Sequence, residues 1–146
     1  MAKELLYFPL KQFSPRFGDN FFSFKMESHT LSKTTFPFVV YKITMYLGKS
    51  TWTIERRFSH FVSLSNYLKE TYPVLVKQAP SLPPKTCSRV TNDEKFLAER
   101  EQLLSEYLDA LLALLSKEKL LADEKVKSFL GFSDGFEAVS GFQYCL

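Results

Sequence analysis

The heptapeptide "ERRFSHF" (residues 55–61) sits where the period of the sequence changes. Up to it, "TWTIERRF" (51–58) alternates, with Trp52, Ile54 and Arg56 on one face and Thr53, Glu55 and Arg57 on the other, which is the pattern of a strand. Beyond it, "SHFVSLSNYLKETY" (59–72) brings Phe61, Leu64 and Leu68 round at i, i+3 and i+7, a helical stripe with Ser59 as expected N-cap and Pro73 as stop. Two adjacent guanidiniums repel each other, so something must hold them at this junction. Alternation sends them to opposite sides of the sheet, and only one can serve a given site. Taken alone, the pair could also be two solvated arginines closing a strand beside Glu55. Phe58, in phase with Trp52 and Ile54, is expected in the core.

Upstream, "FFSFKME" (21–27) alternates Phe22, Phe24 and Met26 against Ser23, Lys25 and Glu27. "FPFVVYKITMYL" (36–47) does the same, with Val39, Tyr41, Ile43, Met45 and Leu47 on one face, and "GKS" (48–50) reads as the turn into "TWTIERRF". Downstream, the proline cluster "APSLPPK" (79–85) excludes helix. From Asp93 to Ser116, Leu97, Leu104, Leu108, Leu111 and Leu115 share one helical face, and a shorter helix over 123–131 ends at Gly131 as C-cap. The expected class is α+β: a three-stranded antiparallel β-meander packed against three to four helices with a proline-rich loop. Residues 1–20 read as an irregular leader and 132–146 as a tail of no clear period.

A chain of 146 residues suits one domain with a sizeable core. Its 15 Phe, 7 Tyr and 1 Trp are expected mostly inside. The net charge of +3 is too weak for a nucleic-acid binder but allows an anionic partner where cations converge. Cys87 and Cys145 make no metal-spaced set. No signal-peptide pattern and no spanning apolar segment occur, so the expectation is a cytoplasmic chain with reduced thiols. No Gly-rich phosphate loop, HExxH or GxSxG is present, and the reading is not an enzyme; no cofactor is expected.

Three cations stand out. Arg100 lies inside the apolar arc between Leu97 and Leu104, with Glu101 at the arc's edge. It either snorkels outward along its stem or aims into a cleft that supplies an anion. Lys85 follows two prolines that limit its directions. Together with the arginine pair, these place one cation on each of three elements beside irregular backbone. Such a site suits a multiply charged phosphate, which arginine grips bidentately and lysine meets as a point charge.

"RRFSHF", "PSLPPK", "FLAEREQLLSEYLDALL" and "VKSFLGF" occur in the order and spacing of the phox-homology (PX) domain, which residues 21–131 resemble. The resemblance implies a sorting-nexin-like, phosphoinositide-binding module of membrane trafficking and protein transport. It would be peripheral on endosomal membranes and would recognise phosphatidylinositol 3-phosphate. By resemblance Arg57 grips the 3-phosphate, Phe58 underlies the inositol ring, Lys85 reaches the 1-phosphate and Arg100 bonds the 4- and 5-hydroxyls. Arg56 is then the arginine facing away. Ser59, Cys87, Arg89 and Val90 are secondary or membrane-contact candidates. Phe58 stands where the family often has Tyr, and His60 where it often has an acid. His60 is expected on the first turn's surface, able to gain charge near pH 6. The loop after Lys85 offers only Cys87 and Val90 as apolar contacts, so docking is expected to be led by the head group, with Arg89 adding attraction to an anionic leaflet. The alternative is a protein-interaction module using the PX scaffold or its PxxP run, "PSLPPK", with weak or no lipid binding.

Overall fold

The computed structural model describes residues 3–85 and 93–132. Four strands, β1 (Leu6–Tyr7), β2 (Phe21–Leu31), β3 (Val39–Leu47) and β4 (Ser50–Arg57), form one sheet in that order. The helices α1 (Phe58–Thr71), α2 (Glu94–Lys117) and α3 (Glu124–Leu130) pack on it, with a short 3₁₀ turn at Pro73–Lys77. This is the α+β meander expected, with one strand more. β1 runs parallel to β2, Leu6 opposite Phe21 and Tyr7 opposite Phe22. The first twenty residues are therefore not irregular throughout. The buried Tyr7 ring lies against Phe22 and Phe24, and its N–H donates to Ser116 Oγ on α2. Phe8 and Phe17 meet Phe21 edge-on and Phe13 contacts Tyr46, so the leader covers the sheet face that the helices leave open.

On the helix side, Phe22, Phe24, Tyr41, Ile43, Met45 and Ile54 meet the leucine stripe of α2, all buried. Alternation holds along β4 and, apart from a buried Thr44, along β3. β2 departs from it: the register slips between Met26 and Ser28, so that Glu27 is bulged and His29, not Ser28, stands opposite Tyr41. The slip turns His29 toward the helices. Phe36–Phe38, expected at the start of β3, belong instead to the β2–β3 loop. There Ser32 N–H donates to the Phe38 carbonyl at 2.8 Å and closes the loop before Val39.

α1 starts earlier than the N-cap reading predicts. Arg57 is the cap residue and Ser59 an exposed residue of the first turn. His60 Nδ1 accepts the Arg57 N–H at 2.8 Å, reaching back as a capping-box Glu would. Asp93 and Asp123 cap α2 and α3 by accepting first-turn N–H groups, and Gly131 ends α3 in the left-handed region at φ 83°. A Cβ on Gly131 would come 2.6 Å from Trp52 Nε1, a second reason for glycine. Residues 133–146, the expected tail beyond Phe132, lie outside the described residues.

The arginine pair divides as alternation requires, but Arg56 is not solvated. It is 3% exposed. Its guanidinium donates to the carbonyls of Phe129 (2.9 Å), Ser128 (3.2 Å) and Glu55 (2.7 Å), so its tie to Glu55 is through backbone, not carboxylate. Trp52 Nε1 donates to the next carbonyl, Leu130, at 3.3 Å. The last carbonyls of a helix have no partner within it and carry its negative pole, so β4 supplies donors and charge where α3 lacks them. Arg56→Gln is expected to cost about 3 kcal/mol and lower Tm by roughly 10 °C. Arg57→Gln should leave Tm nearly unchanged. Thermal melts of the two variants check this, and equal Tm losses would contradict the division of roles.

Candidate functional site

The strand-to-helix junction delivers Arg57 and Phe58 to one end of the sheet, both half-buried. The Arg57 guanidinium lies 3.8 Å from the ring centroid of Phe38 in the β2–β3 loop. Arg100 arrives from the second turn of α2 and is 8% exposed. Its guanidinium sits 4.0 Å over the Phe58 ring, and Nη1 donates to the Pro84 carbonyl at 2.8 Å. That bond uses one of its five N–H donors. Arg100 therefore does not snorkel outward; it joins the start of α1, the proline segment and α2. Leu82 packs against the core and Pro83 is buried, so the segment is anchored where Lys85 emerges into solvent. Burial raises the pKa of the Tyr41 phenol, while the charge and hydrogen bond of Arg100 pull it back.

Phe58, Arg100 and Pro84, the residue before Lys85, thus meet directly, while Arg57, next to Phe58 in sequence, has its guanidinium on Phe38. Among the described residues, no carboxylate pairs with Arg57, Lys85 or Arg100. A cation held in low-dielectric surroundings without a counter-ion is costly, and an anionic ligand relieves that cost. Cys87, Arg89 and Val90 lie outside the described residues. Arg57 and Ser59 also border an open hollow of about 560 Å³ toward α3, lined in addition by His60 and Lys125 and not by Phe58 or Arg100.

Sequence reasoning missed the partner of Glu101. His29 Nδ1 meets Glu101 Oε1 and His29 Nε2 meets Glu94 Oε1, both at 2.6 Å, with the imidazole side chain 12% exposed. The intrusion of Glu101 into the apolar arc was the visible signal; the bulge that turns His29 toward it was not visible. The bridge pins the first turns of α2 to β2 beside Arg100. Burial lowers the His29 pKa, but hydrogen bonds and charge from Glu101 and Glu94 outweigh it, and the net shift is upward from 6.5. A raised folded pKa stabilises fully below the unfolded value and is lost as pH rises through the folded one. Stability should therefore fall as pH climbs above 6.5 by an amount absent from His29→Gln. Melts of both proteins from about pH 6 to about pH 9 test this, and parallel curves would refute it.

Comparisons with known proteins agree with the geometry. The family model described as PX domain matches residues 44–133. The chain is 39% identical over 101 residues to the sorting nexin MVP1 of Candida albicans, a match covering 65% of this chain and 13% of that protein. It is 32% identical over 75 residues to the rat serine/threonine-protein kinase Sgk3, covering 51% of this chain and 14% of the kinase. The chain thus spans a small part of these relatives. A designed CISK-PX domain superposes with a TM-score of 0.64 at 33% identity, covering 75% of this chain and 98% of that one. The mouse SNX19 PX domain, solved with a bound sulphate ion, superposes at 0.55 with 19% identity over 75% of this chain and 95% of that one, a likeness of fold. Among the described residues no helix is long and apolar enough to cross a membrane. These matches support a phosphoinositide-binding, membrane-targeting module, and the chain belongs to the PX domain family.

Proposed function

We propose that this chain recognises phosphatidylinositol 3-phosphate on endosomal membranes, with Arg57 on the 3-phosphate, Phe58 beneath the inositol ring, Lys85 on the 1-phosphate and Arg100 on the 4- and 5-hydroxyls. The observation that carries the reading is the meeting of three elements at Arg100, which stacks on Phe58 and bonds Pro84 next to Lys85, with no carboxylate among the described residues on any of the three cations. An inositol ring needs an apolar face, and its phosphate needs a bidentate grip; Phe58 and Arg57 are neighbours in sequence and offer both. Arg89, four residues beyond Lys85 in sequence, adds attraction to an anionic leaflet.

The protein-interaction reading is less well supported. A polyproline ligand must expose its prolines to a partner, whereas Pro83 is buried and the Pro84 carbonyl is occupied by Arg100. The experiment is vesicle flotation across the phosphoinositides at near-physiological salt, wild type against Arg57→Gln. The expected result is binding to the 3-phosphate lipid that falls at least about 30-fold in the mutant, the equivalent of roughly 2 kcal/mol for a charged hydrogen-bond pair. Equal binding by both folded proteins, or preference for another phosphoinositide, would defeat the assignment.

A further inference from the structure

The first two turns of α2 carry Arg100, yet they lie outside the main core. Among the described residues the continuous apolar core takes in α2 from Leu104 onward, and Leu97, though buried, is not part of it. Polar contacts tie these turns to the rest of the molecule: Arg100 to Phe58 and Pro84, and His29 to Glu94 and Glu101. The two glutamates are seven residues apart on one flank of the helix, so a single side chain of β2 spans two turns.

Each ring nitrogen of His29 lies 2.6 Å from a carboxylate oxygen. A neutral imidazole carries one N–H and donates to only one of them; its other nitrogen then turns a lone pair toward the second. The full bridge therefore requires the protonated ring. The titratable groups around it are few among the described residues. α2 supplies Glu94 and Glu101, with Arg100 next in sequence. β3 supplies Tyr41, opposite His29 in register, whose phenol pKa is pushed up by burial so that it stays neutral. On β2 itself, Glu27 is taken by Thr44 Oγ1 at 2.7 Å.

We propose that protonation of His29 locks the Arg100-bearing turns of α2 against β2, so that the chain grips its anionic head group more tightly as pH falls. The inference rests on the head-group reading above. With the ring charged, the turns are ordered before the ligand arrives; with it neutral, one carboxylate is released and the ligand has to order Arg100 itself. The added positive charge beside the cleft works in the same direction. Coupling is reciprocal, so the bound ligand must in turn favour the protonated ring.

The test is the affinity for soluble dibutanoyl phosphatidylinositol 3-phosphate from about pH 6 to about pH 9, for wild type, His29→Gln and Glu94→Gln. The ligand phosphate titrates near pH 6 as well, equally for all three proteins, so the ratio of affinities is what is read. Wild type is expected to bind roughly fivefold tighter than His29→Gln at the acid end, with the ratio falling to one as pH rises. Glu94→Gln alters an exposed side chain, leaves the fold intact and should move that fall to lower pH. In wild type, the His29 ring proton resonances should titrate at higher pH when the protein is saturated with the ligand.

A ratio that is the same at every pH overturns the proposal and leaves the head-group reading standing, because His29 would then only brace the helix. A His29 titration unmoved by ligand overturns it too, and needs no variant to fold. Wild type that binds no head group at any pH defeats both readings.

Discussion

The end of α3 is held by side chains of a strand. Arg56 and Trp52 stand on the inner face of β4 and donate to the carbonyls of Ser128, Phe129 and Leu130, the groups a helix leaves unpaired at its C-terminus. This contact fixes the last helix to the sheet, and Gly131 permits it by leaving room for the indole. It also decides the other arginine. With Arg56 committed inward, the pleat sends Arg57 to the opposite face, where backbone direction, not a local preference, brings it to the loop aromatic Phe38.

The candidate cleft is built on the same economy. Arg100 is already desolvated by the protein, stacked on Phe58 and tied to Pro84, so a ligand need not order it. Much of the entropy of a long side chain is lost at folding and not again at binding. The helix that carries it is pinned to β2 through His29, whose two ring nitrogens meet Glu94 and Glu101. This bridge supports the helix behind Arg100 without reaching the cations, which stay without carboxylates among the described residues.

Much of the fold was legible because its period is. The alternation in "TWTIERRF" separated Arg56 from Arg57, and the stripe from Leu97 to Leu115 marked one face of α2, all of it buried. The boundaries were less visible. Ser59 has the chemistry of an N-cap, yet the helix begins one residue before it, because His60 satisfies the Arg57 N–H. Tyr7 reads as part of an irregular leader, since two residues are too few to show a period, and only packing on Phe22 and Phe24 makes them a strand. The bulge at Glu27 has no glycine to announce it. Of the candidate site, Arg57, Phe58, Lys85 and Arg100 were named from order and spacing, whereas Phe38 and His29, which support them, were not.

The sequence by itself determined the three long strands, the helices, their order and the split of the arginine pair, because hydrophobic period and proline are local properties that neighbours in the chain enforce. Only the tertiary structure decided what each charge is for. Arg56 and Arg57 are adjacent and chemically identical, and their fates diverge because one meets the unpaired carbonyls of a helix more than seventy residues away and the other meets a loop aromatic. Such long-range partners depend on how the sheet twists and where a bulge falls. Neither leaves a mark on the residues between them.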